Sequence, residues 1–151
     1  MSPRQLFVWG SVLVLTGCGM NRAGLARDVR LLLAGCSVKP RTIKVTMGDR
    51  TRTGMVEITA TSADIAAIVS RFGLQEGGTA EDDSDRHSWL DARVRQFNHP
   101  LLLPQDGVKV FRSNGRSENL RLSNGTAFDY MLLFWDKDKG VAVILLSYAY
   151  G

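Results

Sequence analysis

The chain has 151 residues, 19 basic against 15 acidic, a formal net charge of +4, and 44% hydrophobic against 23% charged side chains. Two cysteines eighteen residues apart match no zinc spacing, and there is no internal repeat or low-complexity tract. What remains after an N-terminal leader and tether suits a single domain of about 110 residues with its own core.

Met1 to Gln5 carries Arg4, Leu6 to Leu15 is apolar apart from Ser11, and the small pair Thr16-Gly17 precedes Cys18. A charged start, an apolar stretch and small residues in that order make an export signal. The apolar stretch is about ten residues, half the roughly 20 that a membrane-spanning helix needs, so it reads as a leader to be cut off. Leu15-Thr16-Gly17-Cys18 resembles the lipobox of bacterial lipoproteins, and the resemblance covers residues 1 to 18 alone. It implies cleavage before Cys18, diacylation of that cysteine and acylation of the new amino end. Gly19 rather than Asp after the cysteine implies delivery to the outer membrane, facing the periplasm.

Leu33-Ala34-Gly35-Cys36 is a second run of lipobox type. Arg27, Asp28 and Arg30 interrupt its approach and leave only Leu31 to Leu33, short of the usual stretch of about seven to fifteen apolar residues. Yet Cys36 leads directly into the polar Ser37-Val38-Lys39-Pro40-Arg41, as many lipoproteins begin. Cys18 is the favoured attachment point and Cys36 the alternative. The expected organisation is a signal peptide over 1–17, a lipid-anchored tether over 18–40 and one α+β domain over 41–151. With Cys18 acylated, Cys36 has no disulfide partner.

Removing residues 1–17 takes away only Arg4 and lowers the net charge to +3. Arg22 to Arg52 then holds eight basic residues against Asp28 and Asp49, while Glu76 to Asp85 holds five acids and no base. In an exported chain the basic stretch faces anionic headgroups or envelope polymers, or is a solvated linker; nucleic acid is not an expected partner.

Ile43, Val45 and Met47 alternate with polar residues, as do Val56, Ile58 and Ala60, which predicts a β-hairpin around the polar connection Gly48 to Gly54 with Arg50 and Arg52 near its tip. Ile65, Ile68, Val69 and Phe72 fall on one helical face. Thr61 or Ser62 caps that helix, Asp64 sits in its first turn, and Gly73-Leu74 stops it. Gln75 to Ser84 reads as an exposed acidic loop, Trp89, Val94 and Phe97 as a return to the core, and Leu101 to Leu103 as a short strand or buried plug between turn signals. The last 45 residues predict a four-stranded meander over Val108 to Arg112, Glu118 to Leu122, Ala127 to Trp135 and Val141 to Tyr150. Asn114-Gly115 and Asn124-Gly125 supply its hairpin turns. Met131 to Trp135 and Val141 to Leu146 are nearly continuous apolar runs, which places them centrally in the sheet. The expected fold is thus α+β, an antiparallel sheet of about six strands with one helix packed on it.

Asp82-Asp83-Ser84-Asp85-Arg86-His87 gathers oxygen ligands and an imidazole but lacks the spacing and distal Glu of a calcium loop, so a solvated loop is the plainer reading. A histidine-based hydrolase or metal-dependent enzyme must use His87 or His99, and no Gly-x-Ser-x-Gly elbow accompanies them. Neither a metal nor a cofactor is expected. Strand alternation places Phe128, Tyr130 and Phe134 on one face and Trp135 on the other, so that Trp135 and Tyr150 at strand ends, with Arg50 and Arg52 at the hairpin tip, are candidate partner contacts, and core packing is the alternative for the aromatics. The leading expectation is a lipid-anchored envelope module that binds or assembles, without catalysis. The alternatives are the His87/His99 enzyme and an inhibitor or immunity-type lipoprotein.

Overall fold

The computed structural model describes residues 22–47, 52–77, 97–103, 105–113 and 118–148. Helix α1, Arg22–Leu33, runs into a 3-10 turn at Ala34–Cys36. The strands are β1 Pro40–Met47, β2 Arg52–Thr59, β3 Gln75–Glu76, β4 Val108–Arg112, β5 Phe128–Asp136 and β6 Val141–Tyr148, with helix α2, Ser62–Phe72, between β2 and β3. They form one antiparallel sheet of six strands in the order β1-β2-β6-β5-β4-β3. The two apolar runs, β5 and β6, occupy its centre as expected, and Met131 to Trp135 and Ala142 to Leu146 are buried whichever face they point to.

Burial on both faces requires a cover on each. On one face Val56, Ile58, Met131, Leu133, Ile144 and Leu146 meet Ile65, Ile68 and Phe72 of α2 and Val29, Leu32 and Leu33 of α1. On the other, Met55, Leu132, Phe134, Val143 and Leu145 meet Phe97, Leu101 and Leu102. Each such side chain contributes about 1.5–3 kcal/mol when fully withdrawn from water. The leucine triplet is therefore the plug rather than a strand: Pro100–Leu102 is a single 3-10 turn that buries Leu101 and Leu102 and leaves Leu103 outside.

Helix α2 begins as the sequence indicates. The Thr61 hydroxyl accepts from the Asp64 amide, the Asp64 carboxylate accepts from the Thr61 amide, and Gly73 ends the helix in the left-handed region at φ 61°. The Thr61 amide and hydroxyl hold the Asp64 carboxyl below its usual range. The Lys139 amide, with the Lys139 side chain, does the same for Asp136 in the β5–β6 turn. Both groups have lowered folded-state values, so what they add to stability is present above the ordinary carboxylate range and is lost as pH falls through it.

Three expectations change. The segment Glu118 to Leu122 is not a strand: Glu118–Leu120 forms a 3-10 turn that sinks Leu120 completely, and only an isolated bridge joins Arg121 to Ala127. Burying Leu120 beside the end of α2 takes the chain away from the edge of β4, which instead receives Gln75-Glu76, fastened by Lys109–Glu76 at 2.9 Å and by the Gly77 amide donating to Val110. Phe128 lies with Trp135 on the helix-covered face, not with Tyr130 and Phe134, because a bulge between Phe128 and Tyr130 advances the strand by one residue and reverses the alternation. Finally, α1 joins the main helix α2 on the sheet, and residues 22–36 of the expected tether contribute to the core: Val29 is 0%, Leu32 2% and Leu33 1% exposed. Leu33→Ala is accordingly expected to lower unfolding free energy by about 2–5 kcal/mol in urea titration, and an unchanged midpoint would separate α1 from the domain.

Candidate functional site

The two sequence features with chemical content that fall among the described residues are the second lipobox and His99. Leu33 to Cys36 runs from the last residue of α1 through the 3-10 turn, and three contacts fix this end of the helix. Asp28, buried within the helix, accepts from Asn124 Nδ2 at 3.5 Å, while Asn124 Oδ1 accepts from the Thr126 amide at 3.0 Å and shapes the Asn-Gly turn. The Arg71 guanidinium lies directly over Gly35, so closely that a Cβ there would displace it, and is also 5.5 Å from the centre of the Phe72 ring. Cys36 packs into the helix-side core at 6% exposure. Burial pushes its thiol up, with the Arg71 charge opposing. A thiol in that position is a poor nucleophile.

On the opposite face of the sheet, His99 ties the 97–103 segment to β2. Its Nδ1 accepts from the Leu101 amide at 3.2 Å, so the network puts the ring proton on Nε2, which donates to Glu57 Oε2 at 2.7 Å. Arg41 Nη1 stands 3.7 Å from the other Glu57 oxygen. The pair is sheltered, at 14% and 22% side-chain exposure. A histidine base needs one ring nitrogen on its carboxylate and the other turned to the nucleophile. Here a backbone amide takes the second nitrogen, and the arrangement works as a clamp that holds Leu101 and Leu102 on the sheet.

Of the residues singled out in the sequence, Cys18, Arg50, His87, Tyr150 and the whole Asp82 to His87 stretch lie outside the described residues, and for Arg52 the structure places only the backbone, opposite Met47. Trp135 is not a surface contact: it is 7% exposed and packs on the helix-covered face, and its indole N–H has no partner among the described residues. The reason is its place in β5, a central strand, where even the end residue has neighbours on both sides. Among the described residues no three His, Cys, Asp or Glu side chains converge.

Sequence reasoning missed Glu57, Arg71 and Asp28. Glu57 is a polar residue in an alternating strand, and its partner is 42 positions away. Asp28 carried a signal, a lone acid near the apolar end of a basic helix, that points inward only once Asn124 is seen beside it. Comparison with known proteins found no family model, no curated protein and no solved structure that matches the chain.

His99→Ala removes both ring contacts at once. Loss of the acceptor for a sheltered amide costs about 1–3 kcal/mol, so the Leu101 amide should exchange with deuterium at least about fivefold faster while β6 amides keep their rate. Equal exchange in the variant would show that the clamp holds nothing.

Proposed function

We propose that this chain is a small lipid-anchored protein of the cell envelope, attached through Cys18, that serves as a binding or assembly module and performs no catalysis. The observation that carries the choice of cysteine is the seat of α1 in the core. Cleavage before Cys36 would discard Val29, Leu32 and Leu33 and would require acylation of a thiol that the fold buries. Cleavage before Cys18 keeps the whole helix, and the amino end then lies four residues before Arg22. Gly19 after the cysteine supports the outer membrane as destination, with the domain facing the periplasm.

The binding role is supported by where the polar groups go. Asp28 serves Asn124 and His99 serves Glu57 and Leu101, so these groups stabilise the fold. No helix among the described residues is long and apolar enough to cross a membrane, and in this reading the lipid on Cys18 is the anchor.

Metabolic labelling with a fatty acid tests the assignment. Wild-type chain and Cys36→Ala are expected to take up label and sediment with membranes, and Cys18→Ser to take up none. Label that survives Cys18→Ser and disappears in Cys36→Ala would transfer the anchor to Cys36; an unlabelled wild-type chain would end the lipoprotein reading.

A further inference from the structure

Helix α1 has a second face that the core does not use. At about 100° per residue, Asp28, Val29, Leu32 and Leu33 occupy one side, and Ala23, Arg27, Arg30 and Leu31 occupy a stripe about 100° wide opposite them. The first set is buried and the second exposed, with Leu31 at 47%. Asp28, the helix's single acid, faces Asn124 and is absent from the outer stripe, which therefore carries guanidinium groups around an exposed leucine and no negative charge.

Position relative to the anchor gives this stripe an occupant. Cys18 precedes Arg22 by four residues, and four residues span at most about 14 Å even when fully extended. A lipid on Cys18 thus holds the start of α1 within roughly that distance of the headgroups. Cationic groups beside a large apolar side chain are what an interfacial helix presents to an anionic bilayer. One other large apolar side chain among the described residues is comparably exposed, Leu103 at 61%, but it lies on the segment covering the opposite face of the sheet, three positions before Asp106 and without flanking basic residues.

We infer that α1 lies flat on the membrane to which Cys18 is anchored, with Leu31 at the headgroup boundary and Arg27 and Arg30 on anionic lipid phosphates. This rests on the Cys18 reading and adds an orientation to it. The domain then stands with α1 and its face of the sheet toward the bilayer, and with the 97–103 segment and the Glu57–His99 clamp turned away from it. The surface offered to periplasmic partners is the side bearing Leu103.

The test uses the lipidated full chain, recovered from membranes in a Cys36→Ala background, with an environment-sensitive fluorophore on Leu31→Cys or, in a separate protein, on Leu103→Cys. Intact mass first reports the lipid. The probes are vesicles of phosphatidylcholine alone or mixed with phosphatidylglycerol, both containing a quencher-bearing lipid. The fluorophore at position 31 is expected to be quenched in the phosphatidylglycerol vesicles and that at 103 to remain in water. Each basic group near an anionic surface strengthens binding about fivefold, so reversing two charges in Arg27→Glu/Arg30→Glu should weaken docking at least about 25-fold. Raised salt should weaken it in the unmutated chain as well.

Lipidated protein whose position 31 stays in water on both vesicles overturns the inference and leaves the anchor intact. Absence of lipid in the intact mass overturns both. A position 31 that is wet on vesicles but shielded in native envelope membranes assigns the stripe to a protein, and the lipid proposal falls.

Discussion

Val29, Leu32 and Leu33 fill the layer between the sheet and the backbone of α1, and their burial is the constraint on which the rest of this structure turns. The layer is shared. α2 brings Ile65, Ile68 and Phe72 to the same face, but it follows β2 directly and is only eleven residues long, so one end of a six-stranded sheet would lie open without α1. Once α1 is in place, the 3-10 turn after it puts Gly35 under the Arg71 guanidinium and Cys36 inside, and a sequence that looks like a processing site becomes part of the folded domain. The same burial turns Arg27, Arg30 and Leu31 outward.

The second face is covered by a different device. Phe97, Leu101 and Leu102 cover Leu132, Phe134, Val143 and Leu145, the two leucines from the 3-10 turn Pro100–Leu102. Its hold comes from apolar burial plus the two ring contacts of His99, one to its own segment and one to β2. In the proposed orientation that side faces away from the bilayer.

Much of the architecture was legible because it is written in short-range patterns. The alternation of Ile43 with Lys44 and of Val56 with Glu57, the capping pair Thr61 and Asp64, and the uninterrupted runs that become β5 and β6 each specify a local structure and a burial class together. What was not legible depends on contacts between distant residues. Residues 22–36 read as a tether because Asp28 and three arginines break the apolar run; their apolar positions recur at helical spacing only over a single short face, and the acid finds its partner 96 positions later. The strand expected at Glu118 to Leu122 yields to the burial of Leu120, and the bulge at Phe128 to Tyr130 is set by pairing with β6 and leaves no mark in the alternation itself. Of the candidate site, the proposed attachment at Cys18 rests on the order of charge, apolar stretch and small residues alone, whereas the case against Cys36 required seeing where its thiol goes.

The most direct test of this account is amide hydrogen exchange on the full chain extracted from membranes, read peptide by peptide. If α1 is part of the folded domain, amides from Ala26 to Leu33 exchange with protection within about tenfold of those in β5, since one cooperative unit opens as a whole. Exchange of that segment at the rate of an unstructured peptide, with β5 and β6 still protected, would contradict it and would return residues 22–36 to the tether.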